Sequence, residues 1–94
     1  ERAQLVMSDM APNMSGIAAV DHDRSMYLVE LALDFAKAQL QPGGSLLVKV
    51  FQGRSLQSFV QALRSSFGSV KVRKPEASRL RSSELYLLAR DFTL

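Results

Sequence analysis

Three ionisable residues lie within or beside apolar stretches, where a charged side chain is not the usual choice: Asp9, Lys49 and Glu84. Lys49 interrupts the apolar run 46–51, and a lysine is almost never fully buried unless it is paired. Lysine and carboxylate groups are among those that transfer protons in proteins. Each residue also has an ordinary interpretation: Lys49 could lie at the solvent-exposed end of a strand, Asp9 could cap a turn, and Glu84 could be solvated. The elements that carry the three residues decide between these interpretations.

The first half of the chain alternates strand and helix signals. Residues 4–8 form a short apolar run followed by Pro, Asn and Gly, which predicts a strand and then a loop. A helical pattern runs from Asp21 or Asp23 to Gln41, where Pro and Gly stop it. The apolar run 46–51 then predicts a buried central strand.

A second helix is predicted over 56–67, where apolar residues recur at i, i+3, i+4, i+7 and i+11. Ser55 is its candidate N-cap, and Gly68 lies just beyond its predicted end. Residues 69–73 alternate apolar and polar with a period of two, as expected for a half-exposed edge strand.

The last part of the chain contains a predicted loop over 74–83, a strand over 84–89 and a frayed tail over 90–94. The predicted order is therefore β-α-β-α-β-β, within one α/β unit that spans 1–94. Alternating strands and helices favour a parallel sheet with right-handed crossovers. The two closing strands follow each other without a helix, so we expect one of them to run antiparallel.

This order predicts that the three ionisable residues come together. Asp9 follows the first strand, and Lys49 lies near the carboxyl end of the next, so both belong to the edge of a parallel sheet where ligands bind. Glu84 begins its strand and reaches the same edge only if that strand is antiparallel. The sequence thus predicts a carboxylate–lysine–carboxylate cluster at the carboxyl edge.

Composition excludes several other chemistries. With 47% hydrophobic residues and a net charge of +3, the chain is typical of a globular domain rather than of a disordered tail. No apolar stretch approaches the ~20 residues of a membrane span, so we expect a soluble, cytoplasmic protein without a membrane partner. Cysteine is absent and His22 is the one histidine, which leaves little for a metal site or a Ser-His-Asp triad. His22 itself is predicted to be a capping or surface residue.

A basic segment offers a second candidate site. Lys71, Arg73, Lys74, Arg79 and Arg81 place five positive charges in eleven positions. These charges could simply be solvated, or they could contact phosphates, since lysine and arginine supply most of the affinity for nucleic-acid backbones.

The chain closely resembles the FtsJ/RrmJ-type RNA 2′-O-ribose methyltransferases, in particular bacterial members that act on large-subunit ribosomal RNA. The resemblance covers essentially all 94 residues in the same order, which makes it far more specific than any single motif. It is carried by these motifs: Ser8-Asp9-Met10-Ala11-Pro12-Asn13, Ser15-Gly16, Pro42-Gly43-Gly44, Val48-Lys49-Val50-Phe51-Gln52-Gly53, Val72-Arg73-Lys74-Pro75, Ser78-Arg79 and Ser82-Ser83-Glu84-Leu85-Tyr86.

The resemblance implies a Rossmann-like fold whose last strand is antiparallel and inserted between its neighbours, with S-adenosylmethionine as cofactor. It implies that this chain is the C-terminal half of the domain, because the family's glycine-rich cofactor turn would lie before Glu1. The opening strand would then be an exposed edge through which the chain could associate. The implied partner is ribosomal RNA or the large ribosomal subunit.

The family's catalytic residues are Lys-Asp-Lys-Glu, and Asp9, Lys49 and Glu84 match the second, third and fourth. Lys49 would act as the base or orient the ribose hydroxyl, Asp9 would contact the methyl-donor end of the cofactor, and Glu84 would orient the lysine and the ribose. Because the first lysine would lie upstream, we predict that Lys49 is fully protonated in this chain.

The resemblance also assigns binding residues. The cofactor-binding segment would be Asp9, Met10, Ala11 and Pro12, and the RNA contacts would be Lys74, Arg79 and Arg81.

Two functions are compatible with the sequence: an RNA ribose methyltransferase whose isolated 94-residue piece is inactive, or an RNA-binding module that has inherited the cluster without turnover. A fragment of a methyltransferase acting on another RNA, such as tRNA or a cap, is a further alternative.

Overall fold

A computed structural model describes residues 2–9, 15–74 and 84–93. It has the predicted order of elements, with the bounds β1 Ala3–Ser8, α1 Ala18–Gln39, β2 Leu40–Phe51, α2 Leu56–Arg64, β3 Phe67–Arg73 and β4 Glu84–Phe92.

The four strands form one sheet in the order β1-β2-β4-β3. β1 and β2 are parallel, whereas β4 runs antiparallel to both β2 and β3. The prediction of an antiparallel last strand is therefore confirmed, and so is its insertion between two neighbours. This α/β topology is that of the Rossmann-like methyltransferase fold that the resemblance implied.

One face of the sheet forms the core together with both helices. Alternate residues of β2 and β4 are buried on this face, as the period of two in a strand requires. Buried side chains of α1 and α2 join them in a single cluster, whose fully buried members include Leu46, Val48, Val50, Leu87 and Leu63.

The opposite face of the sheet, here called the open face, carries Leu5, Met7, Leu47, Lys49, Tyr86 and Leu88. Its β1 residues are the most exposed, with Leu5 at 50% and Met7 at 63%. Neither helix in the described part of the chain contributes to this face, since α1 and α2 pack on the other one. Lys49 is therefore on the less covered side of the central strand.

The predicted bounds of the first helix are wrong at both ends. α1 begins at Ala18 rather than at Asp21 or Asp23, because the Asp21 carboxylate accepts hydrogen bonds from Ser15 instead of capping the helix. The helix ends at Gln39, and β2 begins at once with the fully buried Leu40.

The predicted Pro-Gly-Gly stop lies inside β2. The pairing of β1 with β2 shifts register between Ala3 and Leu5, and Gly43 has a φ of 86°, a left-handed conformation that favours glycine. The strand can thus continue through an irregular stretch that resembles a turn in sequence.

The later bounds also differ from prediction. α2 ends at Arg64, and Phe67 is not helical but begins β3, where it pairs with Phe92 at a ring-centroid distance of 5.3 Å. Gly68 accordingly lies within β3 and does not terminate the helix. The predicted frayed tail is instead part of β4 as far as Phe92, and the Thr93 N–H donates to the Ser66 carbonyl at 2.8 Å.

The central position of β4 predicts unequal effects for two leucine truncations. Leu87→Ala should lower the free energy of unfolding by about 2–5 kcal/mol, because it opens a cavity in the fully buried core. The matched change Leu5→Ala, on the half-exposed edge strand, should cost about 0.5 kcal/mol. Urea denaturation of the 94-residue chain measures both values, and equal losses would contradict the assignment of the core to the helix-covered face.

Candidate active site

Lys49 lies between two carboxylates at the carboxyl edge of the sheet. Its Nζ is 2.9 Å from Asp9 Oδ1 and 3.6 Å from Glu84 Oε2. The lysine side chain is 14% exposed, Glu84 is 34% exposed and Asp9 is 65% exposed. The structure therefore brings together the three ionisable residues that the sequence singled out.

Strand pairing explains how these residues meet. Ser8 pairs with Val48 in the parallel β1–β2 ladder, so Asp9 follows the last ladder pair and lies beside Lys49. Because β4 is antiparallel to β2, its first residue, Glu84, pairs with Phe51 near the end of β2. A parallel last strand would have placed Glu84 at the opposite edge of the sheet.

The carboxylates determine the charge state of Lys49. A hydrogen bond to Asp9 is the largest influence and raises the pKa of Lys49; partial burial lowers it, and the negative charge of Glu84 raises it. The net effect is a pKa above the ordinary lysine value. This direction agrees with the prediction of a fully protonated Lys49 in this chain, whose side chain would then donate hydrogen bonds at neutral pH and not accept a proton.

The pKa of Asp9 is shifted downward, opposite to that of Lys49. Its hydrogen bond with Lys49 lowers the pKa of this carboxyl, with a smaller contribution from the hydroxyl of Tyr86. Asp9 is therefore an anion at neutral pH and presents an exposed negative charge at the edge of the sheet.

Tyr86 is a member of the cluster that sequence reasoning missed. Its hydroxyl donates to Asp9 Oδ1 at 3.3 Å, and its residue pairs directly with Lys49 across β2 and β4. The available signal was the period of two in the last strand, which places Tyr86 on the same face as Glu84. Tyr86 thus helps to hold the carboxylate that holds the lysine.

A depression of about 270 Å³ adjoins the cluster on the open face. Met7 and Leu47 give it apolar walls, and Ser8, Asp9 and Tyr86 complete its lining. An apolar surface with a carboxylate at its margin can hold a ligand that is part apolar and part cationic.

His22 is not the surface or capping residue that the sequence predicted. It is 4% exposed, its Nδ1 lies 3.0 Å from the Phe51 carbonyl oxygen, and its Nε2 accepts the Ser55 N–H at 3.1 Å. Both ring nitrogens are occupied within the protein, so the expectation that His22 is not a catalyst agrees with its environment. Sequence alone could not place it, because its partners are 29 and 33 residues away.

Several predicted binding residues lie outside the described residues. These are Met10, Ala11 and Pro12 of the cofactor segment and Arg79 and Arg81 of the basic segment. Lys74, also predicted to contact RNA, is described and exposed just after β3, where Lys71 and Arg73 are exposed too.

Ranges 2–9, 15–74 and 84–93 contain no group of three or more His, Cys, Asp or Glu residues placed to hold a metal ion. Neither described helix is long and apolar enough to cross a membrane.

The sheet order β1-β2-β4-β3, with β4 antiparallel between β2 and β3, is that of a methyltransferase-type α/β unit. The chain matches the FtsJ-like methyltransferase family over residues 1–92, and it belongs to that family.

Among curated relatives, the ribosomal RNA large subunit methyltransferase E of Chromohalobacter salexigens is 62% identical over 91 residues, which are 97% of this chain and 43% of the relative. The enzymes of the same name from Azoarcus sp. and Neisseria meningitidis are 62% identical over 87 residues, 93% of this chain and 42% of each relative. This chain thus spans less than half the length of the curated relatives that it matches.

A solved structure shows the same fold. The crystal structure of a ribosomal RNA methyltransferase from Plasmodium falciparum superposes with a TM-score of 0.85 at 26% sequence identity. The match covers 98% of this chain and 48% of that one.

The charge state of Lys49 is open to direct measurement. In an NMR pH titration, the Lys49 ammonium should lose its proton above the ordinary lysine value of about 10.4, and Asp9→Asn should lower this pKa because it removes the strongest partner. Asp34→Asn, on the exposed side of α1, is the control and should leave the pKa of Lys49 unchanged.

The raised pKa of Lys49 also determines how its pairing with Asp9 and Glu84 contributes to the free energy of unfolding at different pH values. Since the pKa of Lys49 is higher in the folded state than in the unfolded state, its contribution is present in full below about pH 10.4 and is lost as the pH rises through the folded-state value. A neutral Lys49 amine near pH 7 would contradict both expectations.

Proposed function

We propose that the full-length protein transfers a methyl group from S-adenosylmethionine to a ribose 2′-hydroxyl of large-subunit ribosomal RNA, in the cytoplasm. The observation that carries the proposal is Lys49 held between Asp9 and Glu84 at the carboxyl edge of a family-matched sheet. The names of the curated relatives support the large ribosomal subunit over tRNA or a cap as the source of the substrate. In this proposal the 94 residues contribute one part of the methyltransferase domain, and the rest of the full-length protein contributes the other.

Lys49 would act on the ribose hydroxyl. Its ammonium, fixed by two carboxylates, can donate a hydrogen bond to the hydroxyl oxygen and orient a lone pair toward the methyl group. Glu84, 3.6 Å from Nζ, would hold the lysine from the side opposite Asp9 and contact the ribose. Orientation, rather than proton removal, is the role that the raised pKa of Lys49 supports in this chain.

A second lysine from the rest of the full-length protein would change the protonation of Lys49. A neighbouring positive charge lowers the pKa of a lysine, which would allow Lys49 to accept the hydroxyl proton as the oxygen–methyl bond forms and the sulfur–methyl bond of the donor breaks. We therefore propose that the orienting lysine of the 94-residue chain is also the base of the complete site.

The cofactor would be held beside Asp9. S-adenosylmethionine supplies a methyl group activated by a sulfonium, and a cationic sulfur is favoured next to an anionic carboxylate. The depression lined by Met7 and Leu47, with Asp9 at its margin, fits such a ligand in chemistry. Met10, Ala11 and Pro12 remain proposed contacts on the segment that follows Asp9.

RNA would approach from the side of β3. Lys71, Arg73 and Lys74 are exposed there, and Arg73 pairs with Tyr86, which itself pairs with Lys49. Neighbouring strands are about 4.8 Å apart, so Arg73 lies about 10 Å from Lys49 along this row. Phosphates flanking the target ribose would then be within reach of Lys71, Arg73 and Lys74, and Arg79 and Arg81 remain proposed RNA contacts.

Removal of Lys49 tests the catalytic assignment. In the full-length protein, Lys49→Ala should lower kcat for methyl transfer from radiolabelled S-adenosylmethionine to large ribosomal subunits by about 10²–10⁴-fold, the usual contribution of a positioned acid–base group. Lys37→Ala, an exposed lysine in the last turn of α1, is the matched control and should retain activity.

The 94-residue chain should transfer no methyl group in the same assay. Full activity of Lys49→Ala would remove Lys49 from the mechanism, and activity of the 94-residue chain alone would contradict the proposal that another part of the protein is essential. RNA binding without turnover by the full-length protein would favour the binding-module alternative.

The basic segment has its own test. Replacing Arg79 and Arg81 by Ala in the full-length protein should weaken RNA binding and reduce the slope of log K against log salt concentration by about 1.4–1.8, as expected for two lost phosphate contacts. Arg64→Ala, at the C-terminal end of α2, is the control and should not change the slope. An unchanged slope in the double variant would exclude the segment from the RNA site.

A further inference from the structure

We propose that His22 is a positioning residue for Lys49, which it places by fixing the end of β2 and the turn 52–55 between β2 and α2. The proposal rests on the proposed function of Lys49 and extends it to a side chain that does not touch the substrate. His22 lies on α1, so it would couple the helix layer to the edge of the sheet where the cluster forms.

The contacts of His22 span two elements besides its own. Its Nδ1 is 3.0 Å from the carbonyl oxygen of Phe51, the last residue of β2. Its Nε2 is 3.1 Å from the backbone nitrogen of Ser55, which directly precedes α2. One buried ring thus joins the carboxyl end of the lysine-bearing strand to the start of the next helix.

The hydrogen-bond directions define the state of the ring. Because the Ser55 N–H is a donor, Nε2 must be the acceptor and carry no proton. The proton is therefore on Nδ1, which donates to the Phe51 carbonyl. A neutral ring in this tautomer satisfies two backbone groups at once, and no other uncharged side chain places a donor and an acceptor at these two positions on a rigid ring.

The turn is also shaped around the ring. A Cβ built on Gly53 would overlap the His22 ring atoms Nδ1, Cγ and Cε1, so only glycine allows this approach. The close packing of Gly53 restricts the path of the chain between Phe51 and Ser55. The histidine and the glycine therefore specify one conformation of the turn.

Phe51, the residue that His22 contacts on β2, is linked to the Asp9–Lys49–Glu84 cluster in two ways. Phe51 is two residues after Lys49 on the same strand, and it pairs with Glu84 on β4. The described β1–β2 ladder ends earlier, at the pair Ser8–Val48. Beyond Val48, β2 is held on one side by β4, and His22 supplies the additional anchor. Displacement of Phe51 would move both Lys49 and its Glu84 partner.

The test compares three variants of the full-length protein. His22→Phe keeps an aromatic ring but removes both hydrogen bonds, and His22→Gln keeps a donor and an acceptor on one side chain. Val29→Ala, a buried position on the same helix that takes no part in the turn, controls for lost stability alone. Urea denaturation identifies the stability loss of each variant, so that effects on the site are compared at known stability.

Two measurements report on Lys49. The first is kcat against KM for methyl transfer, where His22→Phe should lower kcat by about 10–100-fold, as for a displaced catalytic group, with less than about a 2-fold change in KM for the methyl donor. The second is the ¹H–¹⁵N NMR signal of the Lys49 ammonium, which should shift in His22→Phe because its carboxylate partners move. His22→Gln should have a kcat and a Lys49 signal between those of His22→Phe and the wild type. Val29→Ala should change neither kcat nor the Lys49 signal.

The outcomes separate this proposal from the proposed function. If His22→Phe matches Val29→Ala in kcat and in the Lys49 signal, His22 is only structural and the inference is wrong. If the wild-type protein transfers no methyl group but the Lys49 signal still shifts in His22→Phe alone, the positioning role stands and the proposed function fails. If His22→Phe does not fold, His22→Ala takes its place, because it also removes both hydrogen bonds: a Lys49 signal shifted relative to Val29→Ala supports positioning, and a signal equal to that of Val29→Ala overturns it.

Discussion

The ion pair between Lys49 and Asp9 is the interaction on which the site depends. A lysine side chain that is only 14% exposed on a central strand has limited contact with water, so its charge needs compensation from nearby anions. Asp9 at 2.9 Å and Glu84 at 3.6 Å provide it, and the hydroxyl of Tyr86 holds Asp9 in turn. The cluster is therefore a connected network, in which each member has a partner that fixes its position.

The sheet topology makes this network possible. Parallel strands bring Asp9 and Lys49 to one edge, and the antiparallel insertion of β4 brings the beginning of a strand, Glu84, to the same edge. If β4 were parallel, Glu84 would lie at the opposite edge of the sheet. The open face beside the cluster leaves room for ligands, whereas the opposite face is covered by α1 and α2 and supplies the rigidity.

Much of the fold could be predicted from local patterns, and the errors have identifiable causes. The element order and the antiparallel last strand followed from apolar periodicity and from the absence of a helix between the last two strands. Phe67 fitted the helical period but is held in β3 by pairing with Phe92, a contact 25 positions away in sequence. The Pro-Gly-Gly stretch resembled a turn but continues β2, because a register shift in the pairing with β1 accommodates it.

The sequence by itself determined the elements and the identity of the charged residues, because periodicity, capping and breaker residues act over a few positions. Asp9, Lys49 and Glu84 could be recognised since a charge beside an apolar strand is unusual wherever that strand lies. Only the tertiary structure decided that Tyr86 holds Asp9 and that the buried His22 joins Phe51 to Ser55. Those contacts depend on strand register and on how α1 crosses the sheet, and both are set by the packing of the whole core rather than by neighbouring residues.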